Sequence, residues 1–331
     1  MGACSVVDRE GRAALLAADV GGTYARIGLV DASGPQRRIL AYRKYSCAAF
    51  PGLATILRDF IETVPGTRVG RGVVAAAGHP LGDGRLISAN LPWGVSREAI
   101  RGELGLDDLG LVNDFEALAH AAVRVPEQDR IAVCGPRGNG GGPVVVIGPG
   151  TGLGAAVWLP DVDGGRVLAT EAGQMAWAPG NAREMALLGI LLETREYVSL
   201  EAVLSGPGLL ALYHAACALA QVPAQAASPV QVSLAARAGD AQACAALEVF
   251  FEVLGSAAGD LVLAYGGRGA VCLAGGILPA VADLLAASRF AARFVGKGAM
   301  RAVLEQVPVC LVDHGQLGVM GAIDWYLRQA R

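Results

Sequence analysis

The chain has 331 residues, enough for two domains with separate cores, and a formal net charge of −3. That balance argues against the basic surface of a nucleic-acid binder and against the acidic run of a disordered partner arm. Seven cysteines, scattered singly without a C-x-x-C pair, argue against a disulfide frame or a zinc site and suggest a reducing cytoplasm.

In chain order, Leu15–Val20, Ile27–Val30 and Ile39–Tyr45 read as three strands joined by tight Gly- or Ser-containing turns. Phe50–Thr63 has helical periodicity, with Phe50, Leu53, Ile56, Leu57 and Phe60 on one face. Gly72–Ala77 reads as a buried strand, Arg85–Ala89 as a short one, and a helix begins at Arg97–Gly102. A strand at Leu109–Val112 leads into a helix from Phe115 to Val123.

The pattern then restarts about 130 residues on, with strands at Pro143–Ile147, Gly154–Trp158 and Arg166–Ala169. Helices are expected at Ala182–Thr194, Leu200–Leu204, Leu209–Ala220, Ser233–Ala238 and Ala241–Ala264. A strand at Ala270–Leu273, a helix after Pro279, a strand at Val307–Val312 and a helix at Leu317–Leu327 complete the chain. This is a duplicated α/β architecture, and the expected arrangement is two lobes with a cleft between them.

Two further exclusions follow from hydropathy. Ala202–Ala236 carries no Asp, Glu, Lys or Arg and is long enough to span a membrane. Pro207, Pro223 and Pro229 interrupt it, so Leu209–Ala220 reads instead as a short helix buried in a core. The N-terminal residues show no basic segment ahead of an apolar one, so no signal peptide is expected.

One residue in the first strand demands an explanation. Asp19 sits inside an apolar strand that Gly21 and Gly22 directly follow, and a buried carboxylate without a partner is costly. Two more glycine turns, Gly148–Gly154 and Ala274–Gly276, also end buried strands. Each reads on its own as a plain turn. Together they suggest loops whose backbone N–H groups cradle phosphates. The dinucleotide fingerprint is rejected because Gly154 continues into a strand rather than a helix, and no G-K-[ST] Walker loop exists.

Taken in order, "DVGGTYAR", "LVNDFEALAHA", "GPGTGLGAA", "VLSGPGLLALY" and "CLAGGILP" resemble the bacterial glucokinases, as does the ending "DHGQLGVMGA". The resemblance runs from about Ala14 to the end without a large insertion. It implies an actin-like, ribonuclease-H-like ATPase fold, with residues 13–124 plus 315–331 as the small domain and 125–314 as the large one. The implied activity is transfer of the ATP γ-phosphoryl group to the 6-hydroxyl of glucose, the entry to glycolysis.

By the same resemblance, Asp19 faces the Mg²⁺·ATP phosphates through metal-bound water, and Gly21, Gly22 and Thr23 close the hairpin over them. The loop carrying Gly150, Thr151, Gly152 and Gly154 holds the phosphates from the other lobe, with Gly275 and Gly276 near the adenosine. Asp114 is the implied general base and Asn113 orients the sugar, although both also read as helix N-caps. Glu171, Glu201 and Asn90 match further sugar-binding positions, with Trp93 packing behind Asn90. Without the resemblance, Glu171 reads as a strand-end charge and Glu201 as a first-turn helix residue.

The sequence departs from the pattern at Gln174, where the family carries a histidine, and this puts sugar identity and affinity in question. His79, His120, His214 and His314 are isolated and read as structural. The expected partners are a hexose and ATP, with neither nucleic acid nor membrane, in a cytoplasmic homodimer whose lobes close on sugar binding. Other readings are a kinase for another hexose such as mannose, a weak paralogue, and a sugar-responsive regulator without turnover. Retention of Asp114 argues against the last of these.

Overall fold

In the computed structural model, residues 14–34, 37–64, 69–88, 90–138, 140–162, 164–313 and 315–329 are described. They form two compact units, one from residues up to Arg124 together with those from Gly315, the other from Val125–Asp313. The candidate His314 lies outside the described residues.

Unit 1 starts with an antiparallel meander, β1 (Ala14–Val20), β2 (Tyr24–Asp31) and β3 (Arg38–Ser46). Helix α1 (Leu53–Glu62) leads to β4 (Arg71–Ala76), which pairs parallel with β1. Short strands β5 (His79–Pro80), β6 (Arg85–Ile87) and β7 (Val95–Ser96) make a separate small sheet, of which the sequence pattern announced only β6. Helix α2 (Arg97–Leu104), strand β8 (Asp108–Asn113) and helix α3 (Asp114–Ala122) follow, and the main sheet runs β3-β2-β1-β4-β8.

Unit 2 opens with an edge strand, β9 (Ile131–Cys134), and then repeats the meander as β10 (Val144–Pro149), β11 (Leu153–Leu159) and β12 (Arg166–Thr170). Four helices come next: α4 (Ala182–Leu192), α5 (Gly206–Ala220), α6 (Pro229–Arg237) and α7 (Ala241–Tyr265). Strand β13 (Ala270–Leu273), the short helices α8 (Ala282–Ala287), α9 (Phe290–Phe294) and α10 (Arg301–Leu304), and strand β14 (Val309–Leu311) complete it. Its sheet runs β12-β11-β10-β13-β14-β9. Apart from the added β9, this is the strand order of unit 1. The chain returns to unit 1 as α11 (Leu317–Gln329).

Both central strands read as continuous apolar runs because both of their faces are covered. In β1, Leu16, Ala18 and Val20 pack towards Ile56, Leu57 and Phe60 of α1. Leu15 and Ala17 pack on the other face towards Ala117 of α3 and Val319, Ala322 and Ile323 of α11. Each fully buried Leu, Ile, Val or Phe among these contributes roughly 1.5–3 kcal/mol, and each Ala less. Helices α3 and α11 touch closely, since a Cβ on Gly321 would lie 2.0 Å from the Ala117 carbonyl oxygen.

One expected helix is absent. Leu200–Leu204 forms hydrogen-bonded turns instead, and α5 begins at Gly206, earlier than the expected Leu209. Pro207 explains the break, because its ring cannot follow a preceding helical turn but is suited to the first turn of a new helix. The Ser205 side chain caps that helix, accepting from Gly208 N. No helix among the described residues is long and apolar enough to cross a membrane.

Candidate active site

In unit 1 the β1–β2 hairpin carries the first candidate loop. Side chains alternate along β1, so Asp19 follows Leu15 and Ala17 onto the face covered by α11. It is 2% exposed, and its Oδ2 lies 3.3 Å from Arg26 Nη1 on the paired strand. A Cβ on Gly318, in the first turn of α11, would lie 2.4 Å from the Asp19 carboxyl carbon. Only glycine admits the helix this close.

The glycines of this hairpin behave differently. Neither Gly21 nor Gly22 has a positive φ, and a Cβ on Gly21 would meet only Tyr24 O, at an ordinary 3.8 Å. Neither the turn's conformation nor, at Gly21, crowding from neighbouring atoms requires glycine. Thr23 is exposed beside them, and its carbonyl accepts from Cys47 N.

Asn113 and Asp114 sit where β8 passes into α3. Asn113 is the N-cap: its Oδ1 accepts from Phe115 N at 2.9 Å and Glu116 N at 3.0 Å. Its Nδ2 donates to Gly78 O at 2.8 Å, leaving one amide hydrogen for another partner. The capping reading thus holds for Asn113. Asp114 is the first helical residue, half-buried, with Oδ1 3.0 Å from Phe115 N. An acidic residue in the first turn interacts favourably with the helix dipole. Asn90 is half-buried and its backbone N donates to Ser88 Oγ, while Trp93 packs into the core that β1 shares with α1.

Unit 2 carries the remaining candidates. The turn after β10 brings Gly150 N to Gly152 O at 2.8 Å, with Thr151 exposed and Gly154 starting the pairing of β11. The Gly150 carbonyl accepts from Gly206 N, which ties this loop to the start of α5. Gly275 and Gly276 differ sharply. Gly275 is buried with φ +91°, and a Cβ there would lie 2.4 Å from Pro149 O. Packing of β13 against β10 therefore accounts for glycine at 275 without any ligand. Gly276 is exposed, and a Cβ there would meet open space.

Of the groups expected on the sugar, the Gln174 and Glu201 side chains are hydrogen-bonded to each other, and Glu171 joins them through its backbone. Glu171 caps a single 3-10 turn, Ala172–Gln174, with Gln174 N donating to Glu171 O at 2.9 Å. A Cβ on Gly173 would lie 2.4 Å from Leu153 O, so glycine lets this turn rest on the start of β11. Gln174 Nε2 donates to Glu201 Oε1 at 3.1 Å, and Leu153 N donates to Glu201 Oε2 at 2.9 Å. Glu201 lies in the turn before α5 rather than in a helix's first turn, and its own N donates to Gly173 O. Glu171 and Gln174 are exposed.

Sequence reasoning overlooked two neighbours of this group. Tyr197 donates its hydroxyl to Gln174 O at 2.6 Å, and no motif or periodicity marks it. Glu184 is fully buried, and its carboxylate accepts from Gly180 N, from Asn181 Nδ2 and from both Arg293 Nη atoms. That network fixes the start of α4 and ties it to Arg293 of α9. A cavity of about 260 Å³ lined by Cys134, Ala291, Phe294 and Leu304 holds none of the candidate residues.

Among the described residues no three His, Cys, Asp or Glu side chains gather into a metal-binding cluster. This donor set suits magnesium held chiefly by water and phosphate with one carboxylate behind it, the role open to Asp19.

A family model described as Glucokinase matches residues 16–329. The chain belongs to the glucokinase family. A glucokinase-like protein of Xylella fastidiosa is 47% identical over 320 residues, covering 95% of each chain. A glucokinase of Chromobacterium violaceum is 40% identical over 298 residues, covering 90% of this chain and 84% of that one. The solved glucokinase of an Antarctic psychrotroph matches with a TM-score of 0.78 at 35% identity, covering 94% and 97%. This glucokinase-family chain is thus a kinase on the actin-like ATPase fold, and the repeated sheet order is that fold's duplication.

Proposed function

We propose that the protein phosphorylates glucose at its 6-hydroxyl with ATP, in the cytoplasm and as a homodimer. The observation that supports the sugar reading is the side-chain bond between Gln174 and Glu201, with Glu171 at the head of the same turn. Carboxylates accept from neighbouring hydroxyls, and an amide both donates and accepts, which suits a polyol.

Asp114 serves as the base that accepts the 6-hydroxyl proton, an effect worth roughly 10²–10⁴-fold. Asn113, through its remaining amide hydrogen, and Asn90 orient the sugar, while Glu171, Gln174 and Glu201 hold its other hydroxyls. Gly21, Gly22 and Thr23 take the ATP phosphates against backbone N–H groups, as do Gly150, Thr151, Gly152 and Gly154. Gly276 leaves room beside the adenosine, with Gly275 shaping the chain there. Asp19 holds hydrated Mg²⁺, which supplies charge neutralisation at the phosphates when bound. Most of the rate comes from this positioning, as is usual for phosphoryl transfer.

Gln174 in the place of the family's histidine favours one second reading, a preference for another hexose such as mannose. A coupled phosphorylation assay over a hexose panel, with ATP, ADP and polyphosphate as donors, decides between them. Turnover highest with glucose and ATP supports the first reading; highest with mannose supports the second. Turnover with no hexose overturns both.

A further inference from the structure

We infer that Tyr197 is a positioning residue for hexose recognition, fixing Gln174 so that its side-chain oxygen accepts from a sugar hydroxyl. This rests on the sugar-kinase reading above. The residues 173–177 and 197–201 run antiparallel, with Glu201 N on Gly173 O, Leu200 N on Met175 O and Trp177 N on Val198 O. Tyr197 and Glu201 therefore approach Gln174 from one strip of chain. Tyr197 holds its carbonyl at 2.6 Å, and Glu201 holds its side-chain nitrogen at 3.1 Å.

The direction of the second bond follows from chemistry. An ionised carboxylate only accepts, so the Gln174 amide must present Nε2 to Glu201. Its Oε1 remains as an acceptor, and no described residue donates to it. A substrate group meeting Oε1 must donate, which selects a hydroxyl over a group that only accepts. Glutamine, unlike an imidazole, does not itself titrate near neutral pH.

In that three-residue turn Ala172 and Gly173 are buried and only Gln174 is exposed, and a glutamine stem is costly to order. Tyr197 is itself 55% exposed, so its hydroxyl is not held in place by burial in a core. Its bond to Gln174 O limits the swing of the turn and thereby aims the amide.

The test combines Tyr197→Phe, Gln174→Ala and the double variant with glucose and its deoxyfluoro analogues at carbons 1 to 4. Fluorine keeps the size of a hydroxyl but cannot donate. In the wild type, fluorination at one carbon is expected to weaken binding more than at the others, and Gln174→Ala should abolish that difference. Tyr197→Phe should raise the KM for glucose about threefold to tenfold, with kcat within about twofold, and shrink the same difference. In the double variant, Tyr197→Phe should add nothing to Gln174→Ala.

Three results overturn the inference. Wild-type-like kinetics in Tyr197→Phe, additive effects in the double variant, or an unchanged analogue profile with a falling kcat would each do so while leaving the kinase reading intact. Calorimetry showing that the wild type binds no hexose overturns both.

Discussion

The Gln174 side chain donates to the Glu201 carboxylate across 27 residues of sequence, and the amide of Leu153 occupies the carboxylate's other oxygen. Glu201 thus ties three separate segments together with a single side chain. A carboxylate offers two acceptor oxygens, whereas a glutamine amide offers one.

Glu201→Gln removes the charge and keeps one acceptor, for Leu153 N; its new NH2 can pair with Gln174 only if that amide turns Oε1 inward, away from the sugar. A hydrogen bond to a charged group contributes about 1.5–3 kcal/mol, so glucose affinity is expected to fall on the order of tenfold to a hundredfold. Calorimetric titration with glucose checks this. Wild-type affinity in Glu201→Gln would show that the carboxylate takes no part in sugar binding.

Adjacent residues at the start of α3 should separate catalysis from stability. Asn113 caps the helix with its side chain, while Asp114 does not serve as the cap. Asp114→Ala should reduce turnover at least about 10²-fold with ATP and glucose binding within a few-fold and little change in melting temperature. Asn113→Ala should cost about 0.5–2 kcal/mol of stability in thermal unfolding. Near-normal turnover in Asp114→Ala removes it from the role of base.

Much of this was legible in the chain. β1 and β10 announced themselves because strands covered on both faces must be apolar throughout, and Asp19 stood out against such a run. The edge strand β9 was missed since Ile131 and Ala132 are exposed and carry no burial pattern. Leu200–Leu204 misled because its composition is helical, while the stop is imposed by Pro207 and by backbone bonds to Gly173 and Met175. Glycines proved the hardest to interpret. Gly275 and Gly318 answer to backbone or side-chain neighbours far away in sequence, which no local motif reveals.

His120 gives the chain a pH dependence of stability. It is 4% exposed on α3, and its Nδ1 has no hydrogen-bond partner among the described residues. Burial, with Arg328 and Arg124 nearby, lowers its pKa from 6.5 to about 4. The folded protein therefore keeps it neutral where the unfolded chain already binds a proton. Stability from this group is intact above about pH 6.5 and declines as the pH falls towards 4, by about 3 kcal/mol at most. Urea unfolding between pH 7 and 4.5 should show that decline, and His120→Leu should flatten it. Equal slopes in both proteins would place the dependence elsewhere.

Two glycine substitutions should fail in different ways, because one glycine serves the ligand and the other serves the fold. At Gly22 the backbone does not have a positive φ, so its conformation alone does not demand glycine. Gly22→Val should leave the melting temperature within a few degrees while raising the KM for ATP far more than that for glucose, since a branched side chain blocks the approach of phosphate. At Gly275 the backbone has φ +91°, and an added Cβ would lie 2.4 Å from Pro149 O, with Gly148 beside it. Gly275→Ala should therefore lower stability by about 1–3 kcal/mol from the strained backbone alone, with further loss as β13 moves away from β10. Thermal unfolding together with separate KM values for the two substrates distinguishes these effects. If Gly22→Val raises both KM values equally, or unfolds the protein, the first hairpin is a plain turn and the phosphate assignment falls.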